Sequence, residues 1–191
     1  MTQILDNLIL CGISEMYNCF DIIKESSLHI NVAEELVSFP TFPKMNYIVQ
    51  IHLNWYDAPL QNINENGVLF NVIKLMDFYI SNGKKVVVNC YAGASRSVTI
   101  VLAYLMYKNK YTVQEALSFV RPKRPIINPN YGFVCQLYML QDTLHNLDNL
   151  DYSNINNKNT EDLAKEISET YKNVTFIKEI LKRENYLRDL V

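Results

Sequence analysis

Cys90 and Arg96 stand six positions apart, with Tyr91, Ala92, Gly93, Ala94 and Ser95 between them and Ser97 directly after. A thiol becomes a strong nucleophile once ionised, and a guanidinium grips an oxyanion with two parallel N–H donors. The intervening residues are small, so the backbone can close around an anion with its N–H groups pointing inward. Gly93 supplies the backbone freedom such a cradle needs, while Ala92 and Ala94 keep side chains out of its way. The same ring of donors favours the thiolate of Cys90. Ser97 is placed to hydrogen-bond the sulfur and ease its departure as a leaving group. The chemistry is therefore transfer of a tetrahedral oxyanion, with Cys90, Arg96 and Ser97 reacting and the span from Tyr91 to Arg96 binding. A buried structural thiol at Cys90 would explain neither the small residues nor Arg96.

Holding such a loop requires a rigid element on each side. Val86, Val87 and Val88 before Asn89 read as a buried strand, and Ser97–Lys108 reads as an apolar helix whose N-terminal dipole faces the anion. Further strand patterns fall at Leu8–Cys11, Leu28–Val32 and Tyr47–Leu53. Helical patterns fall at Ser14–Glu25, Gly67–Ser81, Thr112–Val120 and Pro129–Leu144. Strands alternating with helices predict an α/β fold in which helices cover a mostly parallel sheet. Asn128 before Pro129 is the expected N-cap of the last helix.

The chain has 191 residues, enough for one domain with a sizeable core. That domain is expected over residues 1–146. From Asn146 to Thr160 six residues are Asn and few could be buried, so 147–160 reads as a linker. Residues 161–191 return to helical periodicity, with Leu163, Ile167, Val174, Ile177 and Leu181 on one stripe. Such a stripe must be covered by its own domain, by a second copy in a homodimer, or by another protein.

The segment N-C-Y-A-G-A-S-R-S resembles the signature loop of dual-specificity protein phosphatases, usually His-Cys-x-x-Gly-x-Ser-Arg-Ser. The resemblance runs over roughly residues 1 to 145. Ile30-Asn31-Val32-Ala33 looks like an early core strand of that family, and Ala103-Tyr104-Leu105-Met106 looks like its post-loop helix. The block from Arg124 to Phe133, followed by Gln136-Leu137, looks like the opening of its last helix. The resemblance implies a central, mostly parallel, twisted sheet of about five strands flanked by helices. It also implies a cofactor-free and metal-free reaction through a phosphocysteine on Cys90, and an aspartate that protonates the leaving oxygen. The segment in the corresponding place, Trp55 to Ile63, offers Asp57, the sole acid between Met45 and Gln61. Trp55 and Tyr56 are expected to pack that loop.

One position departs from the pattern: Asn89 stands where the family has His. Asn can replace some hydrogen bonds but brings no charge, so thiolate formation is expected to be weaker. His29 and His52 lie in strand patterns, where a packed, hydrogen-bonded imidazole is the ordinary state, and His145 is outside the motif.

Composition narrows the classes. The sequence is 49% hydrophobic and 20% charged, with no apolar stretch of the length a membrane crossing needs. Its N-terminus does not read as a signal peptide, and its four Cys form no C-x-x-C pair. A reducing compartment, cytoplasm or nucleus, is expected, with no membrane or nucleic-acid partner. Between Lys84 and Arg124 eight basic residues face the single acid Glu115, a rim suited to a phosphorylated, acidic protein. Three functions remain open: a protein phosphatase, a phosphoprotein-binding module with low turnover, and a phosphatase for phosphoinositides or RNA 5′ ends. The last fits less well, because phosphoinositide relatives tend to carry loop lysines and RNA-directed relatives tend to follow the Arg with Thr-Gly.

Overall fold

The computed structural model describes residues 1–18, 25–33, 35 and 49–149. The linker, the C-terminal amphipathic stretch and the first expected helix beyond Asn18 lie outside these residues, except that the linker's first three residues, 147–149, are described.

Five strands form one sheet. They are β1 (Thr2–Leu5), β2 (Leu8–Gly12), β3 (Leu28–Asn31), β4 (Val49–His52) and β5 (Val86–Cys90), in the order β1-β2-β5-β3-β4. Only β1 runs antiparallel, paired to β2 as a hairpin; all other neighbours are parallel. β1 was not legible as a strand, because Thr2, Gln3 and Asp6 interrupt its apolar run. The β5 strand sits at the centre and is buried along its whole length. That is why Val86, Val87 and Val88 read as a continuous apolar run rather than an alternation.

Strand alternation divides the core. Leu8, Leu10, Val86 and Val88 face the main core, whereas Ile9, Cys11 and Val87 pack with Met16 of α1 (Ile13–Asn18). The main face is covered by α2 (Val68–Ser81), α3 (Arg96–Asn109), α4 (Val113–Val120) and α5 (Tyr131–His145). Every residue of α3 from Arg96 to Tyr107 is buried, because α2, α4, α5 and the sheet surround it. A helix buried on all sides can place its N-terminus rigidly, and this one starts at Arg96.

Two caps set the local boundaries. Thr112 and Glu115 form a reciprocal capping box at the start of α4. At α5 the expectation is corrected: the N-cap is Asn130, not Asn128, and the helix begins at Tyr131 rather than Pro129. The Asn130 side chain accepts from Phe133 N–H at 3.1 Å. Asn128 lies two residues before the cap, and its N–H donates to the Ala94 carbonyl at 2.8 Å. Pro129 therefore spans the last extended step into the helix.

Trp55 is completely buried, its ring 5.9 Å from Phe133 of α5, so it packs the loop after β4 rather than lining a cleft. That loop docks against α5 at Gly132, where a Cβ would fall 2.1 Å from the Pro59 carbonyl oxygen. Replacing Trp55 by Ala is expected to lower stability by about 3–5 kcal/mol. Urea unfolding would measure this, and a loss below about 1 kcal/mol would contradict this packing role.

Candidate active site

In open sheets of parallel strands, ligand sites form beyond the carboxyl ends of the strands. Cys90 is the last residue of β5 and Arg96 the first of α3, so the loop between them lies at that edge. Gly93 has φ +67°, and a Cβ there would lie 2.5 Å from the Cys11 carbonyl carbon. Only glycine fits both constraints.

The loop is tied down through its carbonyls. Tyr91 C=O accepts from Ile13 N–H at 2.9 Å, and Ala94 C=O accepts from Asn128 N–H. Arg124 donates from Nε to Gly93 C=O at 2.7 Å and from a terminal nitrogen to Ala92 C=O at 3.3 Å. Ser95 C=O accepts from Thr99 N–H at 2.9 Å and from Thr99 Oγ1 at 3.0 Å. Arg124 is itself held by a two-point pair with Glu15, at 3.1 and 2.8 Å. Burial pushes the Glu15 pKa up, but the hydrogen bonds from Arg124 and Gly12 N–H prevail and hold it at about 2 instead of 4.5.

Cys90 Sγ, almost fully buried, accepts from Gly93 N–H at 3.2 Å and from Ser97 Oγ at 3.1 Å. Arg96 is equally buried, and its two terminal nitrogens bind Glu35 at 2.5 and 2.6 Å. Its Nε has no hydrogen-bond partner, although Asp57 Oδ2 lies 3.7 Å away. A buried guanidinium N–H without an acceptor marks a place where an oxyanion would be bound. Burial pushes the Glu35 pKa up, and its hydrogen bonds to Arg96 pull it below the usual carboxylate value.

Asp57 is fixed as well. Its Oδ1 accepts from Ser95 Oγ at 2.6 Å and from Asn130 Nδ2 at 2.8 Å, and Ser95 Oγ accepts in turn from Asn130 N–H at 3.1 Å. Cys90, Arg96, Ser97 and Asp57 thus gather around one loop. Tyr91 is different: its side chain is more than half exposed at the rim.

The catalytic-domain model of dual-specificity phosphatases matches residues 8–143. The chain belongs to the dual-specificity phosphatase family. It is 33% identical to a protein of Invertebrate iridescent virus 6 named as a tyrosine phosphatase, over 75% of this chain and 94% of the viral one. It is also 33% identical to dual specificity protein phosphatase 22-A of Danio rerio, over 74% of this chain and 65% of that protein. Several other relatives are longer, and the match spans about a third of their length. Among solved structures, the human tyrosine phosphatase-like serine/threonine/tyrosine-interacting protein is 28% identical with a TM-score of 0.65, over 75% of this chain and 96% of that one. Dual-specificity phosphatases act on phosphorylated proteins, which is the class of reaction this family membership assigns to the chain.

Sequence reading missed Glu35, Arg124, Glu15 and Asn130 at this phosphatase site. A signal existed for Glu35, an acid just past the carboxyl end of a parallel strand, where ligands gather. Arg124 was read as the start of a family-like block and as part of the basic rim, but it is buried, and its pairing with Glu15 across 109 residues of chain left no local signal.

Two measurements check this geometry. Gly93→Ala is expected to abolish phosphatase activity and lower stability by about 1–3 kcal/mol. Glu15→Gln is expected to be less stable than wild type at neutral pH. A carboxyl with a lowered folded pKa stabilises above its unfolded value, so the gap should close as pH falls from 4.5 toward 2. Urea unfolding at several pH values would detect it.

Proposed function

We propose that this chain hydrolyses phosphotyrosine, and phosphoserine or phosphothreonine, in protein substrates through a phosphocysteine on Cys90. The observation that supports this most is the Cys90 sulfur held by two donors beside a buried guanidinium with an unmatched N–H. In the first step the Cys90 thiolate attacks phosphorus, the ester P–O bond breaks, and Asp57 gives its proton to the departing oxygen. In the second step water attacks the phosphocysteine and yields its proton to Asp57. The S–P bond breaks, and inorganic phosphate leaves as Ser97 supports the returning thiolate. Arg96 and the backbone from Tyr91 to Ser95 hold the equatorial oxygens throughout, with the charge that develops in the transition state met by donors already in place. Glu35 keeps the guanidinium plane set before substrate arrives.

Of the eight basic residues expected at a rim, Arg96 and Arg124 are buried and paired with Glu35 and Glu15, while Arg121 and Lys123, next to Arg124 in the chain, are exposed and would favour an acidic protein substrate.

Phosphate release from phosphotyrosine, phosphoserine and phosphothreonine peptides is the direct assay. Cys90→Ser is expected to abolish release, and Asp57→Asn to lower kcat by about 10²–10⁴. Wild-type protein that binds the peptides without releasing phosphate would overturn this reading and identify a phosphoprotein-binding module. Release from phosphoinositides or triphosphate-ended RNA in preference to all peptides would overturn the substrate class.

A further inference from the structure

Asn89, directly before Cys90, stands where the resemblance implies a His, and the structure places the His29 imidazole against it. Asn89, Asn31 and His52 lie in register across three adjacent parallel strands, β5, β3 and β4. His29, two residues before Asn31, lies on the same face of β3. Asn89 is completely buried, and His29 and Asn31 nearly so.

The hydrogen bonds among them have only one consistent polarity, and both fixed points come from the backbone of Ala33. Ala33 C=O can only accept, so His52 Nε2 donates to it, at 3.2 Å. His52 Nδ1 is then an acceptor and takes a hydrogen from Asn31 Nδ2 at 3.3 Å. Ala33 N–H can only donate, and it meets Asn31 Oδ1 at 3.2 Å. That oxygen also accepts from Asn89 Nδ2 at 3.3 Å, which turns Asn89 Oδ1 toward His29. His29 must therefore donate from Nε2, at 2.8 Å. Burial, with His52 nearby, lowers the His29 pKa to about 4, so the ring is neutral and in the Nε2–H form at working pH. Asn89 Nδ2 also points toward the Cys90 carbonyl, 3.5 Å away.

We propose that His29 is a positioning residue for the reaction: by donating to Asn89 Oδ1 it fixes the amide that orients the Cys90 peptide. The backbone on either side of Cys90 is also held, Asn89 C=O by Val32 N–H at 2.8 Å and Tyr91 C=O by Ile13 N–H. The side chain of Asn89 holds the nucleophilic residue itself. Without the donor, Asn89 Oδ1 is left buried and unmet, and of the amide's side-chain bonds only the one from Nδ2 to Asn31 remains, so the hold on the Cys90 peptide weakens.

This inference rests on the proposed phosphatase reading, and the test separates the two. Wild type, His29→Gln, His29→Met and the exchange of His29→Asn with Asn89→His would be assayed on a phosphotyrosine peptide. Gln and Met fill similar space, but only Gln can donate to Asn89. The expected result is kcat about 10-fold lower in His29→Met with KM within about twofold, and near wild type in His29→Gln and the exchange. Carbamidomethylation of the Cys90 peptide at neutral pH, read by mass spectrometry, should slow in parallel with kcat. A folded His29→Met with unchanged kcat would overturn the proposal. So would a folded His29→Gln or exchange variant with a 10-fold loss, which decides the matter even if His29→Met fails to fold. Absence of wild-type turnover would instead count against the phosphatase reading.

Discussion

A loop that turns its N–H groups inward must turn its carbonyls outward, and each outward carbonyl needs a donor. The five carbonyls from Tyr91 to Ser95 find theirs in Ile13, Arg124, Asn128 and Thr99. An unmet buried carbonyl costs about 1–3 kcal/mol, so several of them would open the loop. Much of the surrounding architecture follows from this requirement. The chain entering the last helix is held on the loop, with Asn128 N–H on the Ala94 carbonyl and Asn130 N–H on Ser95 Oγ. Arg124 is almost fully buried because it serves two carbonyls at once, and Glu15 is present because a buried guanidinium needs a carboxylate.

The second guanidinium obeys the same rule in a more functional way. Arg96 is paired with Glu35 through its terminal nitrogens, while Nε is left toward Asp57 beyond hydrogen-bonding distance. Asp57 is meanwhile bound by Ser95 and Asn130, which also links the loop after β4 to the helix dipole and to α5. Charges of both signs are thus arranged before any substrate arrives. The cost of orienting them has been met by folding, which is what makes such groups effective when charge develops at phosphorus.

The central strand, the loop and α3 were legible because chemistry and folding ask the same thing of them. A short apolar run, small residues and an apolar helix are each local signals. Asp57 was legible because no other acid competes nearby. The rest depended on register or on distant contacts. β1 hides in a polar segment and is stabilised as an edge hairpin against β2. Asn130 and Asn128 offer the same capping chemistry, and no local signal separates them. His29 and His52 read correctly as packed, hydrogen-bonded imidazoles. That His29 meets Asn89 and His52 meets Asn31 is a property of the β3–β5 and β3–β4 registers, which no single segment records.

The reach of Arg124 has a consequence for how the protein is made. This one side chain joins the Gly93 carbonyl to Glu15 and Thr2, partners separated from it by 31, 109 and 122 residues. Contacts closing such long loops come late, since the chain must give up the most freedom before they reward it. During synthesis Cys90 emerges well before Arg124 does. Until that arginine arrives, the thiol sits in a segment whose carbonyls are not yet taken and whose donors do not yet converge. The loop's Ala92 and Gly93 carbonyls therefore gain their partner only when both ends of the described domain have come together.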